Sequence, residues 1–307
     1  MSTPMHHHFV QIVVRGADRA KFLHNFCTNN IKAMQPGELL EAFFVNVHAK
    51  VLAHGYIAAF EDHHAIWMLP GDPAALVKHL NRYVITEDVT VEMSPEPTRV
   101  FRLRAEAHPE TFSPSEKESG CVRDLSSGAA VIWFPWNHEH VIVIGGPQLS
   151  IEAAAANNAL SLELMSADRI EHLRILERFP VVGVDLTVEN LAPEADRNAS
   201  AICYTKGCYL GQEPIARIDA LGHVNKSLKR LRAEGDRVTD ADAAMFIGAK
   251  LCVGTELSDD RNLVGTISSA VFIDGQIVAL GMLRIAAAGQ PLTVLRKDGR
   301  TFAAASF

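Results

Sequence analysis

The chain has 307 residues, 48% of them hydrophobic and 21% charged, with a formal net charge of −7. That composition excludes wholesale disorder, and the length suits two domains or three small ones. The negative balance argues against a protein living mainly on nucleic-acid phosphates or on an anionic membrane.

The longest charge-free stretches, residues 1–14 and 125–138, stop at 14 residues, short of the roughly 18 apolar residues a membrane-spanning helix needs. The first has no basic flank and only residues 9–14 as an apolar run, so no signal peptide is expected. A soluble, cytoplasmic protein is expected.

Residues 9–14 read as a strand ending at Gly16, and Asp18 opens a helix with Phe22, Leu23, Phe26 and Cys27 on its apolar face. Strands follow over 42–47, 51–60 and 65–68. Gly71-Asp72-Pro73 starts a helix whose apolar side is Leu76, Leu80 and Tyr83. Strand character returns at 89–93 and 100–103, around polar, Pro-bearing breaks at 95–98 and 109–120. Strands at 131–134 and 141–144 precede helices at 151–160 and 167–177, and 180–200 reads as an ordered loop. From Ser227 the pattern changes to strands at 228–232, 250–253, 264–268, 276–283 and 292–295, parted by Gly and Asp turns. With almost no helical period there, the last 80 residues or so read as a small barrel. The fold class is α+β, with an all-β barrel at the C-terminal end.

Five cysteines, at 27, 121, 203, 208 and 252, are too scattered for a disulfide scaffold, and no CxxC exists. The histidine clusters at 6–8, 63–64 and 138–140 lack metal-ligand spacing, so no metal is expected. The informative stretch runs from Tyr204 to Arg217. Pro214 is tolerated only in a helix's first turn, so a helix is expected to begin near Gly211. Gln212 and Glu213 then suit the positive end of its dipole. Cys208 falls on a Gly-flanked loop just before that helix, two residues after Lys206, and both features favour thiolate over thiol. A reactive or ligand-contacting thiol and a structural cysteine in a tight turn both fit.

The run Lys206-Gly207-Cys208-Tyr209-x-Gly211-Gln212-Glu213-x-x-Ala216-Arg217 resembles the signature of the YgfZ-type folate-binding proteins. These are similar to the T protein of the glycine cleavage system, an aminomethyltransferase. Further blocks carry the likeness: Gly16 and Asp18 with Phe22-Leu23 and Thr28-Asn29-Asn30, and Leu80-Asn81-Arg82-Tyr83-Val84. So do Leu173-Arg174-Ile175-Leu176-Glu177 with Gly183-Val184-Asp185 and Pro193-Glu194, and in the barrel Gly265-Thr266-Ile267-Ser268-Ser269 and Ala279-Leu280-Gly281. Nearly the whole chain is covered.

The resemblance implies three domains in a ring around a folate site. Residues 1–226 would form two interleaved α+β subdomains with a break near 95–120, and 227–307 the barrel. It implies tetrahydrofolate or a folate derivative as cofactor and a role in making or repairing iron–sulfur clusters, with links to tRNA modification. Cys208, with Lys206, is the candidate working residue. Glu177, at the family's "RxE" position, is the candidate partner of the pterin edge, whose N–H donors a carboxylate accepts. Phe9 would line the site as an aromatic, or else be a core strand residue. Tyr209, Gly211, Gln212, Glu213 and Arg217 complete the expected folate-binding set, Arg217 meeting the folate's carboxylate tail or holding Glu213.

One departure matters. The aminomethyltransferases carry an aspartate in a "GGxxDD" segment, whereas the matching residues 49–56 hold no carboxylate. One-carbon transfer is therefore disfavoured, with His54 a candidate substitute acid/base. An RNA-interacting reading rests on Lys226, Lys229, Arg230, Arg232 and Arg237, interrupted by Glu234 and Asp236. Iron–sulfur client or assembly proteins are the expected partners of a monomer, with tRNA a weaker alternative and neither DNA nor membrane.

Overall fold

The structure, a computed structural model, describes residues 9–95, 98–103, 122–124, 130–134, 136, 141–145, 162–234, 238–254 and 260–307. Val10–Arg15 (β1), Leu39–Val45 (β2), Val51–Ala59 (β3), His63–Met68 (β4) and Thr90–Met93 (β5) pair antiparallel in the order β2-β3-β4-β1-β5. Side chains alternate along each strand, and here both faces are apolar. Ala53 and Ile57 of β3 join Leu23 and Leu80, from helices Arg19–Phe26 (α1) and Pro73–Asn81 (α2), in one core. Tyr56 and Ala58 face a second core shared with Ile132 and Leu173. Pro73 opens α2 as expected, with Asp72 Oδ1 accepting the Ala75 N–H at 2.8 Å.

A second antiparallel sheet holds Thr98–Leu103 (β6), Val122–Asp124 (β7), Ala130–Trp133 (β8), Val141–Gly145 (β9) and Leu162–Leu164 (β10), in the order β10-β6-β9-β8-β7. The short β7 and β10 carry too few residues to show a period in sequence. The helix expected over 151–160 lies outside the described residues, as do Cys121 and the histidines at 6–8 and 138–140.

Ala167–Leu176 (α3) is capped by Ser166, whose hydroxyl accepts from Arg169 N. The loop beyond it is ordered, as expected, but contains a 3₁₀ turn, Ala192–Ala195, and a single helical turn, Asn198–Ala201 (α4), where no element was expected. Gln212–Leu221 (α5) begins after Gly211 and ends at Gly222.

Lys226–Glu234 (β11), Lys250–Val253 (β12), Leu263–Ile273 (β13), Gln276–Arg284 (β14), Leu292–Leu295 (β15) and Thr301–Ser306 (β16) close into a barrel, β11-β14-β13-β12-β15-β16. The closing strand β16 was not foreseen. Only Ala304 of its residues is buried, so it offers no run of large apolar side chains. Asp240–Phe246 (α6) corrects the expectation of an almost helix-free C-terminal region. Its signal is the capping box of Thr239 and Asp242. Arg174 of α3, Asp185 of the following loop and Ser268 and Ser269 of β13 meet in one buried network that ties barrel to body.

Candidate functional site

The loop that carries Cys208 is pinned at its two ends to the last turn of α1 and to the segment just after it. Cys203 N donates to Thr28 O at 2.9 Å and Leu210 N to Asn25 O at 2.9 Å. Thr28 Oγ1 donates to Ala201 O at 2.6 Å, and Asn29 Nδ2 to Glu41 O at 2.7 Å and Ser200 O at 2.9 Å. The Thr28-Asn29-Asn30 block and the cysteine motif, about 180 positions apart, are thus one structural unit.

Lys206 is the bolt of that unit. Its buried ammonium donates to His24 O at 2.5 Å, Cys27 O at 2.7 Å and Asn29 O at 2.7 Å, capping the carbonyl end of α1. His24 Nε2 bonds Lys206 O at 3.1 Å, while its Nδ1 accepts from Lys32 N. The Tyr209 ring lies beneath the ammonium, 4.8 Å from Nζ, and burial raises the Tyr209 hydroxyl's pKa. This corrects the role expected for Lys206. All three of its donors are taken by carbonyls, and its charge is felt by Cys27 and Cys203. Burial lowers the Lys206 pKa and raises that of the Cys27 thiol.

Cys208 is exposed, whereas Cys27 and Cys252 are buried. Gly207 and Gly211 have φ of +95° and +78°, the left-handed backbone that glycine accepts freely. At Gly211 a Cβ would also lie 2.4 Å from Asn46 O, so the chain passes flush against the β2–β3 turn. Beyond it α5 starts at Gln212, four residues after Cys208. Glu213 and Arg217 pair with each other at 3.0 Å on the exposed face of α5, so of the two roles left open for Arg217 the structure shows the one with Glu213.

The second group of expected residues gathers at the end of α3. Glu177 is its C-terminal cap and is half-buried. Its carbonyl accepts from Arg197 Nη1 at 2.8 Å, and its carboxylate acts electrostatically on Tyr56, Arg197 and Arg230. Phe9 is wholly buried, its ring 4.6 Å from that of Phe134 and 6.4 Å from that of Phe179. It presents no surface to a ligand, which assigns it to the core instead of the site wall.

Sequence reasoning missed the buried cluster beside Glu177. Glu41 accepts from Arg197 Nε at 2.8 Å, pairs with Arg197 Nη2, and meets His54 Nε2 at 2.7 Å. Burial opposes ionisation of Glu41, but Arg197 and His54 outweigh it and bring its pKa down to about 2. His54 has its other nitrogen against Pro180 O and its ring stacked on Phe43 at 4.5 Å, so it stands sealed inside the fold. The signal for this cluster was a lone glutamate in the apolar run of β2.

Three cavities stand out among the described residues, and none is lined by Cys208, Glu177, Phe9 or Tyr209. No group of three or more His, Cys, Asp or Glu among the described residues is placed to hold a metal ion. No helix among them is long and apolar enough to cross a membrane.

No family model matches the chain. It is 24% identical over 290 residues to the tRNA-modifying protein YgfZ of Shigella dysenteriae, covering 86% of this chain and 80% of that one. It is 27% identical over 240 residues to the human mitochondrial iron–sulfur cluster assembly factor IBA57, covering 71% and 63%. A chloroplastic protein of Arabidopsis thaliana is 28% identical over 234 residues, and the chain spans about half of its length, 51%. In fold the chain is similar to the glycine cleavage system aminomethyltransferase T from Bartonella henselae, with a TM-score of 0.76, 16% identity, and coverage of 98% of this chain and 82% of that one.

Proposed function

We propose that this chain is a YgfZ-type protein that binds a reduced folate and serves iron–sulfur cluster assembly or repair, with Cys208 as its working residue. The observation that carries the reading is the exposure of Cys208 on a loop that buried Lys206 bolts to the end of α1. A thiol presented in this way is free to meet a partner protein or a ligand. Similarity to a protein named as an iron–sulfur cluster assembly factor and to one named as tRNA-modifying supports the same direction. The reading has the chain working in the cytoplasm as a monomer, with iron–sulfur client or assembly proteins as partners.

The folate part rests on Glu177. A half-buried carboxylate facing the charges of Arg197 and Arg230 suits the paired N–H donors of a pterin edge. The fit is to that carboxylate alone. Phe9, Phe134, Trp136 and Phe179 are packed ring on ring, so they already occupy the space an aromatic ligand would stack in.

Aminomethyl transfer is not part of the proposal, since residues 49–56 hold no carboxylate and His54 is sealed between Glu41 and Pro180 O. RNA contact is also left out. Lys226 pairs with Glu194 and Lys229 with Asp196, while Arg230 and Arg232 lie over the Phe307 ring.

Calorimetric titration with tetrahydrofolate tests the folate half. Binding is expected, and Glu177→Ala should weaken it by about 1.5–3 kcal/mol, the scale of a charge-assisted hydrogen bond. Unchanged affinity in that variant removes Glu177 from the site.

A further inference from the structure

The largest of the three cavities, about 800 Å³, lies between α2 and the loop 182–188, away from every residue invoked above for folate or thiol chemistry. Its volume is that of a small-molecule site. One side is apolar, with Leu52 from β3, Leu76 from α2, and Val182, Val184 and Val188 from the loop. The other side is basic, where Lys78 and His79 come from the last turn of α2 and Arg82 caps its C-terminal end.

The groove is built before any ligand arrives. Its loop is fixed by Asp185, which accepts Val181 N at 2.9 Å and is itself held by Arg174. At one end a Cβ on Gly71 would come 2.5 Å from Val182 O, so the start of α2 and the loop touch backbone to backbone.

Its polar groups await a partner. Among the described residues neither Lys78 nor Arg82 has an ion-pair partner, and both are exposed. His79 Nε2 is buried with no hydrogen-bond partner among the described residues, an uncommon state for a polar atom. Burial, then Arg82, lowers the His79 pKa, so its ring is neutral at pH 7. Asp72 is the one acid on the lining, and its carboxylate is engaged in capping Ala75 N. On a chain of net charge −7, this is a local cationic wall facing an apolar one.

We propose that this groove binds an amphipathic organic anion. An apolar or aromatic body lies on Leu52, Val184 and Val188, and its carboxylate, sulfonate or phosphate head meets Lys78, Arg82 and His79. The inference is independent of the folate reading, because no residue is shared.

The test is fluorescence titration of the purified full chain with 8-anilinonaphthalene-1-sulfonate, an aromatic body bearing one sulfonate. Saturable one-site binding is expected. The double variant Lys78→Gln/Arg82→Gln should raise Kd about tenfold or more, the loss of charge-assisted contacts. Ala75→Trp, which fills the groove from an exposed helical position, should abolish binding. Both variants change exposed residues and should keep the far-ultraviolet dichroism and the unfolding midpoint of the parent. Absence of saturable binding overturns the proposal, as does binding indifferent to Ala75→Trp. Loss in Ala75→Trp with unchanged affinity in the double variant overturns it too, because the groove would not then read an anion.

Discussion

Arg174 Nη1 donates to Asp185 Oδ2 at 2.8 Å, and both side chains are all but sealed from solvent. Ser269 Oγ accepts from Arg174 Nη2 at 2.7 Å and donates to Asp185 Oδ1 at 2.6 Å, and Ser268 Oγ reaches the same oxygen at 2.6 Å. Three motifs that the sequence shows separately, around residues 174, 185 and 268, are therefore one joint between α3, its loop and the barrel. Removing Asp185 leaves Arg174 with Glu171 as its remaining counter-charge and takes the acceptor from Ser268, Ser269 and Val181 N. Asp185→Ala should cost about 3–5 kcal/mol of unfolding free energy, measurable by urea denaturation.

Lys206 gives a second stability prediction, because its ammonium satisfies three buried carbonyls. Lys206→Met should lower unfolding free energy by about 3 kcal/mol or more, since each stranded acceptor costs on the order of 1–3 kcal/mol. A variant as stable as the parent would return Lys206 to a chemical role.

The two glycines of the cysteine loop should differ in tolerance. Gly207 has a positive φ but open space around it, so Gly207→Ala should cost about 1 kcal/mol. Gly211 adds a backbone collision with Asn46 O, and Gly211→Ala should cost roughly 3 kcal/mol. Equal unfolding midpoints for the two variants would contradict the close approach.

Acid should weaken the fold in two stages. His64 is buried, and burial, then Arg19 and His63, depress its pKa from 6.5 to about 4. Between those values the unfolded chain binds a proton that the native chain refuses, so stability falls as pH drops from about 6.5 to about 4, by up to roughly 3 kcal/mol. Glu41 adds a second stage. Its pKa moves from 4.5 to about 2, so its stabilising charge is complete above pH 4.5 and is lost as pH falls through 2. His64→Leu should shrink the first stage to what His24 and His79, whose pKa values burial also lowers, contribute, and leave the second, as read by denaturant midpoints across pH.

Much of the fold was legible because local rules and tertiary demands agree. The Pro73 and Pro214 helix starts and the strands β12 and β15 lie where turn chemistry and alternation put them. The exposure of Cys208 was not legible: its Gly-flanked loop fits a presented thiol and a structural cysteine alike, and only the fold shows it exposed. What escaped was non-local. The carbonyls that take up Lys206 lie 177 to 182 residues away, and Arg197 reaches Glu41 across 156, so neither partnership leaves a spacing to read. Phe9 has the same sequence pattern whether it lines a pocket or fills a core, and only the rings packed on it decide.

The proposal turns on the thiol, and one measurement addresses it directly. A host lacking its own homologue and deficient in several iron–sulfur enzymes is supplied with the parent chain or with Cys208→Ser, and the enzyme activities are assayed. Cys208 is exposed, so the substitution should leave the unfolding free energy within about 0.5 kcal/mol of the parent. The account predicts that the parent chain restores the enzymes and that Cys208→Ser, equally folded and equally able to bind tetrahydrofolate, does not. Full restoration by Cys208→Ser would contradict it and leave the cysteine as a loop residue without chemical work.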